Sequence, residues 1–256
     1  MLTSVDTDHA KTQLLEVLQG HVTKVYGKGA TVKELNRLSG GASRETWSLD
    51  VFTKGGTCIP LILKRDPVIY EPDGSFTSDE SYQVGVSRTT EGKIIEQAAL
   101  SGVPVPEVAF FLDDARSTDG FVMQRLEGEA LGLRIAREDT YADARINLAF
   151  QCGQAAAKLH NIPLVNLPEL ESRDVTEALA YNHEMMSSTR HPYPGFEYGF
   201  RWLEERVELA GDQHTLVHGD FRNGNIVVDT DGLRGVLDWE VAHVGNPLSD
   251  LGWICV

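Results

Sequence analysis

Cysteine is scarce in this 256-residue chain, and the three present, Cys58, Cys152 and Cys255, are odd in number and far apart. That excludes a disulfide framework and the close-set ligand pairs of a zinc site, and leaves three reduced thiols. Long apolar runs are missing as well. No stretch approaches the roughly 20 residues that span a bilayer, and the opening MLTSVDTDHAKTQLLEV has neither the basic start nor the apolar block of a secretory signal. A cytoplasmic protein without a membrane partner is the expectation. Positive charge is also in short supply, with 23 Lys and Arg against 38 Asp and Glu, a formal net charge of -15. Affinity for a phosphate backbone depends on clustered cations, so a general nucleic-acid binder is excluded, while a cationic small molecule would suit the balance. Composition leaves the oligomeric state open.

What is present is a globular chain. Its 41% hydrophobic content supports a real core in one large or two small domains. From about Asp6 to Tyr26, Leu14, Leu15, Leu18, Val22 and Val25 share a helical face, with Asp6 or Thr7 available as a cap. Three strand-like runs follow, Val32 to Leu38, Glu45 to Phe52 and Leu61 to Lys64, joined at Gly40-Gly41 and Gly55-Gly56 into an expected antiparallel sheet. Residues 66–86 are rich in turn formers and acidic groups and read as an insertion. Ser87 to Leu100 is expected to be a helix capped by Ser87 and ended by Gly102, with Ile94, Ile95, Ala98 and Ala99 facing inward. An apolar run near Val108 to Leu112 and a strand from Phe121 to Leu126 come next. Beyond them the pattern is mainly helical, with Tyr141 to Leu159 carrying Ile146, Ala149, Phe150, Gly153 and Ala157 at helical spacing, and a shorter helix expected from Phe200 to Leu209. Sheet first and helices second is an α+β order in two lobes. The expected division is an N-terminal lobe over residues 1–124 and a C-terminal lobe over 125–256.

The most informative stretch is 216–240, LVHGDFRNGNIVVDTDGLRGVLDWE. Asp220 and Asn225 fall in one polar loop with Gly219 and Gly224. Ile226-Val227-Val228 reads as a short buried strand, and Asp229-Thr230-Asp231-Gly232 supplies the turn for a return strand, Leu233 to Leu237. The return strand delivers Asp238 beside the first loop. Three oxygen-bearing side chains then converge, which is what a Mg²⁺ ion completed by waters and substrate phosphates needs.

The spacing of Asp220, Asn225 and Asp238 matches the catalytic and metal-binding loops of the protein-kinase-like superfamily. His218-Gly219-Asp220-Phe221-Arg222-Asn223-Gly224-Asn225, then Leu237-Asp238-Trp239-Glu240 and Asn246-Pro247-Leu248-Ser249-Asp250-Leu251, resemble the aminoglycoside phosphotransferase family. Within it they are most similar to the branch related to the kinase domain attached to some acyl-CoA dehydrogenases. The resemblance implies a bilobal protein-kinase-like fold whose N-terminal lobe binds nucleotide and whose C-terminal lobe is catalytic. It also implies ATP and Mg²⁺ as cofactors and a hydroxyl-bearing small molecule as acceptor. Asp238-Trp239-Glu240 reaches Asp250 too soon to leave room for a peptide platform. The family continues through further C-terminal helices, so the C-terminal lobe is expected to be incomplete.

Site roles follow from the resemblance. Asp220 takes or orients the acceptor proton, while Asn225 and Asp238 hold the metal. Lys64, ending an apolar strand, steadies the phosphates and is held by a glutamate from the next helix. Glu91 and Glu96 compete for that place on faces about 140° apart, and Glu91 has the family's distance from Val103-Pro104-Val105-Pro106. Gly40, Gly41, Ala42 and Ser43 resemble the nucleotide loop, where small residues let backbone N–H groups approach phosphates. The segment containing Gln124 and Leu126 is where the family's backbone bonds adenine. His218 and Asp250 brace the loop. The leading expectation is an ATP-dependent kinase acting on an aminoglycoside-like or hydroxyacyl-CoA-like alcohol. A nucleotide-binding scaffold without turnover and a metal-dependent phosphoesterase are the alternatives.

Overall fold

The computed structural model describes residues 4–38, 44–70, 76–78, 85–112, 119–188, 191 and 193–255. Its chain forms two compact units, one of Met1–Ala99 with Val105–Glu127 and one of Leu100–Pro104 with Gly128–Val256.

In the first unit the chain runs through helix α1 (Ser4–Tyr26), strands β1 (Thr31–Arg37), β2 (Glu45–Phe52), β3 (Cys58–Arg65), β4 (Val68–Tyr70) and β5 (Phe76–Ser78), helix α2 (Arg88–Leu100), and strands β6 (Val108–Phe111) and β7 (Gly120–Gln124). Five of the strands make one sheet in the order β1-β2-β3-β7-β6, every neighbour antiparallel. Its strongest signal in sequence is β2, ETWSLDVF, whose alternate residues are buried, the period-2 pattern of a sheet with one face on a core. Leu49, Val51, Leu61, Leu63 and Val122 meet Leu14, Val17, Leu18 and Val22 of α1 in that core. Val17 takes a place expected for Leu15 and Val25, which are exposed. Gln19 ties the helix to the sheet: its amide N–H donates to the Ala30 carbonyl at 2.8 Å and its carbonyl accepts the Val32 N–H at 3.0 Å.

The second unit carries helices α3 (Gly132–Arg137), α4 (Ala142–His160), α5 (Val175–Ser188) and α6 (Pro194–Glu204), strands β8 (Thr215–Val217), β9 (Ile226–Asp229), β10 (Gly232–Val236) and β11 (His243–Gly245), and helix α7 (Leu248–Ile254). The strands form two antiparallel pairs, β9 with β10 and β8 with β11. Helix α4 packs on β8 and β10. Its buried face is Ala144, Cys152, Ala155, Ala156 and Leu159, whereas Ile146, Ala149, Phe150, Gly153 and Ala157, the set read from sequence spacing, are exposed. Both sets recur at helical spacing, so periodicity alone does not say which of them meets the strand pair. Helix α6 starts earlier than expected because Pro194, with its fixed φ, stands in its first turn. The expected end, 207–210, is a separate short 3₁₀ turn. Among the described residues no helix is long and apolar enough to cross a membrane.

Candidate functional site

In the first unit the candidate residues gather where α2 meets the sheet. Lys64 lies opposite Thr46 on one side and Phe121 on the other. Its ammonium donates to Glu91 Oε1 at 2.5 Å, while Glu96 is exposed. Ser87 Oγ accepts the Thr90 N–H at 3.1 Å and Asp119 accepts the Thr89 N–H at 3.0 Å, so the start of α2 is capped twice. Gly92 then lets the helix settle onto the sheet, since a β-carbon there would stand 2.5 Å from the Phe111 ring. That close approach brings the fully buried Glu91 to Lys64.

Arg88, also fully buried, donates to the other oxygen of Glu91. It lies 3.5 Å from Asp66, which Arg44 approaches at 3.4 Å. Buried charges persist only when paired, and here three cations and two carboxylates share one cluster. Gly40, Gly41, Ala42 and Ser43 lie outside the described residues. Gln124 closes β7 and its N–H is occupied by the Glu107 carbonyl at 2.8 Å, whereas the Leu126 N–H has no partner among the described residues.

In the second unit the loop between β8 and β9 holds His218, Asp220 and Asn225. Both carboxylate oxygens of Asp220 are engaged: Arg222 Nε donates to Oδ1 at 2.7 Å and Asn225 Nδ2 to Oδ2 at 2.6 Å. Asn225 Nδ2 also donates to the Asp220 carbonyl at 2.9 Å. Two acceptors on one amide fix its orientation, so the Asn225 carbonyl oxygen points away from them. The hairpin does the rest. Asp229 Oδ1 accepts the N–H groups of Asp231 and Gly232 at 2.8 and 3.1 Å, closing the turn, and Leu237 N–H donates to the Asn225 carbonyl at 2.7 Å. Asp238 therefore follows directly on a residue bonded to Asn225. It adopts φ 65°, a left-handed conformation that aspartate tolerates better than most residues and that redirects its side chain.

Each acid is followed by an anchor. Phe221 and Trp239 are buried, and the Trp239 indole donates to the Val236 carbonyl at 3.2 Å. Beneath the loop Asp250, wholly buried, accepts the N–H groups of His218 and Gly219 at 2.9 Å each, and His160 Nε2 lies 2.9 Å from the same carboxylate. His218 Nδ1 accepts the Asp220 N–H at 3.2 Å, so its Nε2 carries the proton given to the Leu237 carbonyl at 2.9 Å. Burial pushes the His218 pKa down, against the pull of Asp250, so the ring stays neutral.

The donor set fits a magnesium ion. Asn225 offers an amide oxygen and Asp238, one residue past the Leu237 bonded to the Asn225 backbone, offers a carboxylate, and Mg²⁺ is commonly held by one or two protein oxygens with phosphates and waters completing its shell. Among the described residues no group of three His, Cys, Asp or Glu forms a metal cluster of another kind. A cavity of about 540 Å³ adjoins the loop at Phe221 and Asn223 and reaches Cys152, whose thiol burial pushes up to about 11, which leaves it unreactive.

Three residues that matter to this geometry were not singled out from sequence. Arg88 stands three residues before Glu91 on one helix, a readable spacing. Arg222 lies two residues past Asp220, close enough to have been suspected. His160 carried no signal, since ninety residues separate it from Asp250.

The five-stranded antiparallel sheet followed by the helical unit defines a protein-kinase-like α+β fold. Solved structures share it: aminoglycoside phosphotransferase APH(4)-Ia matches with a TM-score of 0.61 at 15% identity, covering 94% of this chain and 75% of that one. A choline/ethanolamine kinase family protein from Mesorhizobium loti matches at 0.59 and 20% identity, covering 97% and 69%. The chain belongs to the phosphotransferase enzyme family, whose model matches residues 34–256. Among curated proteins it is 26% identical over 261 residues to acyl-CoA dehydrogenase family member 11 of Homo sapiens, covering 94% of this chain and 32% of the relative. The Gallus gallus protein of the same name is 27% identical over 233 residues, covering 86% and 27%. The chain thus spans about a third of the length of the curated relatives it matches.

Proposed function

We propose that the protein transfers the γ-phosphate of Mg-ATP to a hydroxyl group of a small molecule in the cytoplasm. The observation that carries the reading is the state of Asp220 and Asn225. Arg222 and the Asn225 amide N–H hold the Asp220 carboxylate in one orientation, and the residue before Asp238 is bonded to the Asn225 backbone, so the amide oxygen and the second carboxylate belong to one loop and hairpin. Asp220 orients the acceptor hydroxyl and takes its proton as the acceptor oxygen bonds to the γ-phosphorus and the bond to ADP breaks. Asn225 and Asp238 would hold Mg²⁺, which would supply neutralisation of the phosphate charge. Lys64, steadied by Glu91, contributes a fixed cation to the phosphates, and Leu126 offers its N–H to the adenine. His218 and Asp250 keep the loop in register through the backbone.

A solved neighbour, a mutant APH(4)-Ia, is a complex with AMP-PNP and hygromycin B. The curated relatives carry acyl-CoA dehydrogenase in their names. Two acceptor classes follow, hydroxyacyl-CoA esters first and aminoglycoside-like alcohols second. A coupled assay for ADP release across both classes, with choline-like alcohols and sugars added, tests the reading. Asp220→Ala is expected to lower turnover on the responding acceptor by a factor of about 10² to 10⁴ while leaving Mg-ATP affinity within about twofold. Asp238→Ala should lose both. An Asp220→Ala protein with full turnover would overturn the role given to that carboxylate, and silence across every acceptor with intact nucleotide binding would favour a scaffold.

A further inference from the structure

The cluster around Glu91 contains more than a lysine and its partner. Glu91 is fully buried and its two oxygens are divided, one taken by Lys64 at 2.5 Å and the other by Arg88. Arg88 is itself fully buried and extends to Asp66 at 3.5 Å, just past the end of the strand that carries Lys64. Asp66 also meets Arg44 at 3.4 Å, the residue before β2. Replacing a buried ion pair by apolar groups is often neutral for stability, so stability alone gives a weak reason for burying this guanidinium.

We propose that Arg88 is a positioning residue for phosphoryl transfer, acting through Glu91, and the proposal rests on the role given to Lys64 above. With Oε2 occupied by Arg88, the carboxylate cannot chelate the ammonium through both oxygens, and it meets Lys64 through Oε1. Dividing the carboxylate between two cations also weakens its hold on either one, so the ammonium retains attraction for phosphate oxygens. Glu91 lies three positions after Arg88 on the helix, a spacing at which side chains meet without further ordering.

The test is a double-mutant cycle read as Mg-AMP-PNP affinity by calorimetric titration of the whole chain. Arg88→Met, a long apolar replacement, is expected to weaken binding about tenfold in the natural background and less than about twofold when Glu91 is already Gln. Equal losses in both backgrounds would overturn the proposal while leaving the phosphotransferase reading intact. Absence of nucleotide binding by the unaltered protein would overturn both. If Arg88→Met does not fold, Arg88→Lys carries the test, because it keeps the buried charge but cannot serve Glu91 and Asp66 together. Its loss, about threefold, should likewise vanish in the Glu91→Gln background, and persistence there is the contrary result.

Discussion

Around Lys64, charge is held by other charge; around Asp220 it is held mostly by amide and backbone donors. Lys64, Arg88 and Arg44 meet Glu91 and Asp66, groups drawn from two strand ends and a helix that pack together. The Asp220 loop takes its order from Asn225, His218 and Asp250 over little more than thirty residues of chain, and from N–H groups whose directions the loop itself sets. The difference lies in what each can tolerate. A cluster of long charged side chains depends on how closely its elements approach, because Coulomb attraction is strong only while water is excluded. A backbone-braced loop depends instead on one acceptor being in place, since its donors have no alternative partners when buried.

Removing that acceptor gives the largest expected effect. Asp250→Ala strands two buried N–H groups and the His160 ring, and should cost about 3–5 kcal/mol, lowering the melting temperature by roughly 10 °C. Calorimetry that found less than about 1 kcal/mol would mean the loop holds itself, and the contrast with the charge cluster would dissolve. The cluster is probed by Gly92→Ala, whose added carbon meets the Phe111 ring and should push α2 outward. A cost of about 1–2 kcal/mol remains after the gain in helix propensity is subtracted, with Mg-ATP binding weakened several-fold. Unchanged nucleotide affinity at reduced stability would separate helix position from Lys64.

The smallest effect concerns pH. His218 has a folded pKa below its unfolded value because burial disfavours the cation. The unfolded chain therefore binds more protons just below pH 6.5, and stability contributed by the neutral ring is present above that pH and lost progressively as pH falls. Melting temperatures measured from pH 7.5 down to 5.5 should decline, and a His218→Gln variant should show a shallower decline. An equal slope in both would remove His218 as the cause.

Much of the Asp220 group was legible because it is local. Asp220, Asn225, the Asp229 turn and Asp238 sit at spacings that a loop and hairpin must bring together, and the pairing of Gly232 with Asp229 follows from the two-residue turn, whereas the bulge between Leu233 and Gly235 that sets Val236 opposite Ile226 was not read from sequence. Choosing Glu91 over Glu96 was also possible, because five helical residues put the two on different faces and only one can meet the sheet. The second cation on Glu91 was not foreseen, although it lies on the same helix, since a charged residue near a helix start ordinarily reads as solvated. Nor was the buried face of α4, where Cys152, Ala155, Ala156 and Leu159 turn inward rather than Ile146, Ala149, Phe150, Gly153 and Ala157.

By itself, then, the order of residues determined most strands of the five-stranded sheet, helices α1, α2 and α4, the hairpin that presents Asp238 and the family to which the chain belongs, all of them consequences of short-range geometry and repeating hydrophobic pattern. Tertiary structure alone decided how Glu91 divides its oxygens, which histidine supports Asp250 and which face of α4 is buried. Those outcomes depend on the distance at which separate elements come to rest, and that distance is set by the packing of side chains far apart in the chain, such as Gly92 against Phe111.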